Sequence, residues 1–175
     1  MKTSRHFIIL VSAASILSAA EPLVITKDSA ATFYRKFKRL TEEPRLVSPL
    51  TATLCITPSK ELVDKEKAMT GPHYKNYIHI YANDSAAKSI AAKGAEFPVG
   101  AVIVKEKLAE GENPVAGVGG MVKRAKGYDP ANGDWEFFYY TPGGEFTTGK
   151  LANCVDCHNG GKRDHVFSVW GLNSK

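Results

Sequence analysis

Near the carboxyl end of the chain, two cysteines and a histidine have the spacing that attaches haem covalently. The run Cys154-Val155-Asp156-Cys157-His158 is a C-x-x-C-H pentapeptide. Thiols three residues apart lie on one face of a helical turn, so both can bond to the two vinyl groups of one haem. The imidazole that follows is then held beneath the iron, where a proximal histidine is a common ligand. The sequence therefore predicts one covalent haem c on Cys154 and Cys157, with His158 on the iron.

Zinc is an alternative for such a cysteine pair, as half of a four-ligand site, and a redox dithiol is another. A zinc site needs two further ligands at suitable spacing. The remaining candidates are Cys55, His73, His79 and His165, and they form no second ligand pair along the sequence. Haem attachment is therefore the better interpretation. Cys55 has no cysteine left to pair with, and we interpret it as a buried thiol that packs as a small apolar side chain.

The amino terminus has the features of an export signal. It begins with the basic residues Lys2 and Arg5, and residues 7–17 form an apolar core. That core is too short to span a bilayer permanently, and no cysteine follows it to carry a lipid. We therefore expect residues 1–20 to be a signal peptide, cleaved near Ala20. The mature protein is expected to be periplasmic or secreted, without a membrane anchor.

Residues 21–175 are predicted to form a single domain. This length is enough for one sizeable core, and no repeat, low-complexity tract or linker divides it. The formal net charge is +5, and loss of the two basic signal residues brings it to +3. No long basic run and no nucleic-acid motif are present, so the sequence does not indicate a nucleic-acid partner.

Helices are predicted in the first half of the chain. Asp28 can cap a helix over residues 29–43, which Pro44 would end. Ser59 can cap a charged helix over residues 60–69.

Strands and one short helix are predicted to follow. Residues rich in β-branched and aromatic types predict strands at 77–81, 100–108, 115–124 and 135–140, and Asn83 or Asp84 can cap an alanine-rich helix that ends at Gly94. Short loops between strands favour antiparallel pairing, because a parallel crossover needs a dozen or more residues. The turn-rich residues 127–134 predict a long hairpin between the last two strands. We therefore predict an α+β fold, with flanking N-terminal helices, a mainly antiparallel β-sheet and a C-terminal haem-attachment segment.

Several short motifs occur in a distinctive order from residue 71 onward. They are Gly71-Pro72-His73, Tyr77–Asn83, Phe97–Glu106, Met121–Arg124, Gly133-Asp134-Trp135 and the haem-attachment pentapeptide. Together they resemble the cytochrome P-460 family, which includes the β-sheet cytochromes c′ of the c′-beta type. The resemblance covers roughly residues 70–170, and the F-P-x-G-x-x-x-V-K-E string is its most specific part.

The resemblance implies a mainly antiparallel β fold, usually a homodimer, with a five-coordinate haem that is open on its distal side. It also implies action on small nitrogen species such as NO or hydroxylamine. In the hydroxylamine-oxidising members, the lysine of the V-K-E string is bonded to the haem edge, and this lysine corresponds to Lys105. The residues alone allow a second interpretation. Lys107 follows closely, so the strand could be leaving the core and Lys105 could face solvent.

The resemblance also shows a departure. The hydroxylamine oxidisers carry a distal carboxylate on the next strand, and its position falls at Gly119. Residues 114–122 contain no acid, and an apolar wall cannot act as a general base. Such a wall suits a diatomic ligand such as NO or CO. We therefore expect a haem bound by thioethers alone and place gas binding ahead of hydroxylamine or NO oxidoreductase activity, leaving open whether the chain is an enzyme.

Further residues have two interpretations each. Met121 could be a sixth iron ligand in an electron-transfer cytochrome, or it could fill the core. Phe97 could cap the distal pocket, or it could pack in the core. His79 is interpreted as a hydrogen-bonded sheet residue, and His165 lies too close behind the pentapeptide to reach the distal side. A haem-based sensor without turnover is a third functional class, and the sequence identifies no redox partner.

Overall fold

The structure is a computed structural model, and it confirms the predicted α+β class. It describes residues 23–47, 59–70, 77–92, 96–108 and 114–167. The predicted signal peptide, Cys55 and His73 lie outside the described residues. None of the helices in these ranges is both long and apolar enough to cross a bilayer.

The described residues form one mainly antiparallel sheet with short helices around it. The helices are α1 (Lys27–Ala30), α2 (Lys60–Thr70), α3 (Asp84–Ala91) and α4 (Ala152–His158), with 3-10 turns at Phe33–Lys36 and Pro130–Asn132. The strands are β1 (Lys38–Arg39), β2 (Arg45–Leu46), β3 (Tyr77–Ala82), β4 (Val102–Leu108), β5 (Val115–Lys123), β6 (Trp135–Tyr140) and β7 (Phe146–Gly149). Their order is β1-β3-β4-β5-β6-β7, and β2 also pairs with β3. The four predicted strands are confirmed, whereas β1, β2 and β7 were not predicted.

The predicted helix over residues 29–43 is wrong. α1 ends at Ala30, and a 3-10 turn and β1 occupy the rest of that stretch. Thr26 caps α1 instead of Asp28, since its side chain accepts from the Ser29 N–H in a capping box. β1 pairs with the end of β3. This tertiary pairing overrides the helical periodicity of the segment.

The other two predicted helix caps are present. Ser59 Oγ accepts from the Leu62 N–H at 3.2 Å, and Asn83 Oδ1 accepts from the Ala86 N–H at 3.1 Å. Asn83 also ties α3 to the start of β4, because its Oδ1 accepts from the Val102 N–H at 3.0 Å and its Nδ2 donates to the Gly100 carbonyl at 2.8 Å. α3 ends at Ala91, earlier than predicted.

The sheet is buried on both faces, so alternate residues of each strand enter different cores. One core, which we call the α4 core, includes Ile78, Ile80, Ile103, Met121, Phe137 and Trp135, with Val155 of α4 packed against it. The other, the amino-terminal core, includes Tyr34, Val102, Val104, Val118, Val122 and Phe138. The interpretation that the strand leaves the core near Lys105 is wrong, because Glu106, Lys107 and Leu108 are all buried.

Candidate functional site

A cavity of about 350 Å³ lies between α4 and the sheet. Its lining is Ile103 and Lys105 of β4, Gly119, Gly120 and Met121 of β5, Phe137, Phe138 and Tyr139 of β6, Thr147 of β7, and Leu151, Asn153, Cys154 and His158. The structure thus brings Lys105, Gly119, Met121, Cys154 and His158 to one cavity. These residues come from three separate segments of the chain, β4, β5 and α4.

α4 presents the haem-attachment pentapeptide to this cavity. Leu151 at its N-cap and Val155 within it pack against the α4 core. Cys154 is half-buried and lines the cavity, whereas Cys157, one turn further along, is exposed. The pentapeptide therefore lies at the border between the cavity and the surface.

His158 is oriented as an iron ligand needs to be. Its Nδ1 lies 2.7 Å from the backbone oxygen of His165. A carbonyl can only accept, so Nδ1 carries the hydrogen and Nε2 keeps a lone pair for a metal. Burial, together with the nearby charge of Lys105, lowers the pKa of His158 to about 4. The ring is therefore neutral at neutral pH, and it packs between Phe137 and Phe167 at centroid distances of 5.1 and 5.4 Å.

Lys105 faces the cavity from the middle of β4. Its partner across the β4–β5 ladder is Gly119, and its partner across the β3–β4 ladder is Ile80. Burial lowers the pKa of Lys105, and the nearby thiols of Cys157 and Cys154 oppose that shift. Of the two interpretations from sequence, the structure supports the inward one.

Lys107 is a residue whose position the sequence analysis missed. It lies on the same face of β4 as Lys105, because side chains two residues apart in a strand point the same way. It is only 2 % exposed, and its Nζ lies 4.3 Å from the ring centroid of Tyr139. Burial, with a smaller contribution from the charge of Lys105, lowers its pKa to about 8. Side chains alternate between the two faces of a strand, and this alternation along β4 was the signal that could have placed Lys107 on the same face as Lys105.

Two glycines of β5 line the cavity beside Lys105. A Cβ added at Gly119 would meet Tyr139 Cδ2 at 3.4 Å, which is ordinary contact. A Cβ added at Gly120 would come within 2.5 Å of Phe138 Cζ and 2.6 Å of the Ile103 carbonyl oxygen. Among the described lining residues there is no Asp or Glu, and the polar groups besides lysine and the pentapeptide are Tyr139, Thr147 and Asn153.

Met121 shares a row of the sheet with a residue that contacts His158. Its register partners are Ile103 on β4 and Phe137 on β6. Phe137 is the residue that packs against the His158 ring. Lys105 and Gly119 form the neighbouring row on the same face, two residues from Ile103 on β4 and from Met121 on β5.

Phe97 and His79 lie away from the cavity lining. Phe97 is buried in the α4 core, where its ring packs edge-on against Trp135 at 5.6 Å. This supports its interpretation as a core residue. His79 is a hydrogen-bonded sheet residue, as predicted, since its Nδ1 lies 3.0 Å from Thr41 Oγ1.

A second cavity, of about 480 Å³, lies on the opposite face of the sheet. Its lining is Arg35, Arg39, His79, Tyr81, Glu106, Leu108 and Val115. None of the predicted site residues lines it. Strand alternation explains the division, because Lys105 and Glu106 are consecutive and so point to opposite faces.

The residues of the first cavity fit a covalently bound haem. The described residues contain no group of three or more His, Cys, Asp or Glu side chains that could hold a bare metal ion. A haem iron needs only axial ligands from the protein, and one histidine suffices. A redox dithiol would have a lowered thiol pKa, whereas burial raises the pKa of Cys154. The mostly apolar walls also suit a porphyrin.

Comparison with known proteins identifies one family. The family model described as Cytochrome P460 matches residues 58–168. The match spans more than half of the chain and includes β4, β5 and the pentapeptide. No curated protein is significantly similar to the chain.

Proposed function

The chain belongs to the cytochrome P460 family, and from this premise we propose that it is an exported monohaem c-type cytochrome that binds small nitrogen species, NO in particular. Family membership implies a haem cofactor. In our proposal Cys154 and Cys157 form the thioether bonds, and His158 ligates the iron through Nε2. When bound, the haem supplies an iron with one open coordination position, which takes a small ligand and exchanges single electrons.

The composition of the cavity is the observation that carries this proposal. His158 and Cys154 line it together with the glycine wall and aromatic residues, and its described lining contains no carboxylate. Aromatic and glycine walls keep water away from a small apolar ligand. Tyr139, Thr147 and Asn153 can donate hydrogen bonds, but none of them is a general base near neutral pH. These features favour ligand binding over proton-coupled oxidation.

Hydroxylamine oxidation is the second candidate, and the position of Lys105 favours it. A lysine must be neutral to bond to a haem edge, and burial lowers the pKa of Lys105 in that direction. Protease digestion of the haem protein and mass spectrometry of the haem peptide test this. We expect haem only on the peptide that contains Cys154 and Cys157. Haem that also carries the Lys105 peptide would place hydroxylamine oxidation first.

A six-coordinate electron carrier is less well supported. Its sixth ligand would be Met121, which shares a row with Phe137, the residue that packs against His158. Met121 is also buried in the α4 core. This packing favours a core role for Met121.

Haem staining and optical spectra test the main proposal. After denaturing electrophoresis, the wild-type protein and a Cys55→Ala variant should keep peroxidase stain, whereas the Cys154→Ala/Cys157→Ala double variant should lose it. Ferrous wild-type protein should be high-spin and should change its spectrum on addition of NO. A stained double variant would contradict covalent attachment. A low-spin ferrous form that is indifferent to NO would favour the electron carrier.

Export is part of the same proposal, because covalent haem attachment of this kind takes place outside the cytoplasm in bacteria. Fractionation of a bacterial host with a c-type maturation system should place haem-stained protein in the periplasm or medium. Deletion of residues 2–20 should leave unstained protein in the cytoplasm. Stained cytoplasmic protein would contradict export.

A further inference from the structure

The backbone that faces His158 is held in an unusual conformation. Asp164 and His165 are consecutive residues with φ of 50° and 60°. This left-handed region is unfavourable for residues other than glycine, and it persists only when the surroundings impose it. The carbonyl of His165, in this turn, is the group that accepts from His158 Nδ1 at 2.7 Å.

The Asp164 side chain is the centre of the contacts that impose this turn. Its two carboxylate oxygens accept from Lys123 Nζ at 2.7 and 2.6 Å, and Oδ2 also accepts from the Phe97 N–H at 2.8 Å. The Lys123 and Asp164 side chains are 13 % and 7 % exposed. The backbone carbonyl of Asp164 accepts from Trp135 Nε1 at 2.8 Å. Two strands, β5 and β6, and the loop before β4 thus hold one residue.

Two glycines allow the turn to pack this closely. A Cβ at Gly133 would lie 2.5 Å from His165 Cδ2 and 2.9 Å from Asp164 Oδ1. A Cβ at Gly161 would lie 2.6 Å from the His165 carbonyl carbon and 2.8 Å from its oxygen. Gly133 and Gly161 therefore lie directly against the turn, and neither position has room for a side chain.

We propose that Asp164, held by Lys123 and Trp135, is a positioning residue that fixes the His165 carbonyl against His158 Nδ1–H and so sets the donor strength of His158 toward the haem iron. The inference rests on the proposed haem attachment. A hydrogen bond from the distant ring nitrogen fixes the tautomer and makes the ligating nitrogen more basic. Stronger donation stabilises the ferric state, so this contact also bears on the reduction potential.

The contacts fit this role better than a purely stabilising one. A buried ion pair is by itself weak evidence for stability, because desolvation offsets most of the attraction. Here the pair fixes a strained turn whose carbonyl points at the predicted iron ligand. Its removal should therefore change properties of the haem as well as the stability of the fold.

The test compares two variants of the full-length haem protein. Asp164→Ala should raise the reduction potential and lower the iron–histidine stretching frequency of the ferrous state, since the His165 carbonyl is released. Glu136→Ala is the matched control. Glu136 of β6 pairs with Arg124, the residue that follows β5, and both side chains are 17 % exposed. The control should lower thermal stability and leave both haem properties unchanged.

Milder variants keep the test decisive if Asp164→Ala fails to fold. Trp135→Phe removes the donor to the Asp164 carbonyl and keeps a smaller aromatic ring, and Lys123→Met removes the cation and keeps a chain of similar length. Each should shift the potential and the stretching frequency in the same direction, and Lys123→Arg should restore them. If these variants of a haem-loaded protein match the wild type, the inference is wrong and the proposed function stands. If the wild type carries no covalent haem, the proposed function fails and takes this inference with it.

Discussion

Among single residues, Lys107 has a consequence for stability at alkaline pH. Burial lowers its pKa from 10.5 to about 8 in the folded protein. Between those two values the unfolded chain binds more protons than the folded one. The free energy of unfolding should therefore rise as pH increases through that range. The Tyr139 ring, 4.3 Å from Nζ, favours the charged form and reduces the size of the effect.

Lys107→Met should therefore raise the free energy of unfolding near neutral pH. The lowered pKa of Lys107 corresponds to a destabilisation of about 3 kcal/mol by the charged amine, which the substitution removes. Loss of the cation–π contact with Tyr139 offsets about 1 to 2 kcal/mol of this gain. We expect a net gain of about 1 to 2 kcal/mol at pH 7, measured by urea denaturation, and a smaller pH dependence above pH 8. Lys126→Met, at an exposed lysine, is the control. A less stable Lys107→Met variant at pH 7 would mean that the folded protein favours the charged amine.

The two wall glycines should respond differently to the same substitution. Gly119→Ala places its Cβ in ordinary contact with Tyr139, so the free energy of unfolding should change by less than about 1 kcal/mol. Gly120→Ala forces Phe138 and the Ile103 carbonyl apart and should cost about 1 to 3 kcal/mol. Thermal denaturation of both variants measures the difference. Equal losses would contradict the close packing at Gly120.

At the scale of elements, Asn83 joins a helix to a strand. It caps α3 and also bonds to the backbone of Gly100 and Val102. Asn83→Ala should lower the free energy of unfolding by about 2 to 3 kcal/mol, because a cap is lost and a strand N–H loses its acceptor. Ser59→Ala removes only the cap of α2 and should cost about 1 kcal/mol. Chemical denaturation that gives equal losses would contradict the second role of Asn83.

The elements also show what sequence can predict here and what it cannot. β3 to β6 were predictable because their β-branched and aromatic residues bury both faces, and β6 matches its predicted range residue for residue. β1 was missed because a two-residue strand exists only through its pairing with β3. The Asp164–His165 turn was equally hidden. Its function lies in a carbonyl oxygen that every residue has, so no side-chain pattern marks it.

At the scale of the whole molecule, we expect a homodimer. The family resemblance implies it, and the sheet ends at β7 on one side and at β1 and β2 on the other. Exposed strand edges are usually covered. Sedimentation velocity at micromolar concentration should show a species with the mass of two copies. If the interface is apolar, added salt should leave that mass unchanged. A monomer under these conditions would contradict the expectation.

The pairing of consecutive strands has a consequence for the order of maturation. From β3 to β7 each strand pairs with the next one along the chain, so most contacts of the sheet join segments that are near in sequence, which favours fast folding. α4 follows all of these strands and has only seven residues, too few to be stable as an isolated helix. The sheet can therefore be complete while both thiols are still accessible to the attachment machinery. We therefore expect α4 to dock last, so that the haem of our proposal would enter the core as its final component.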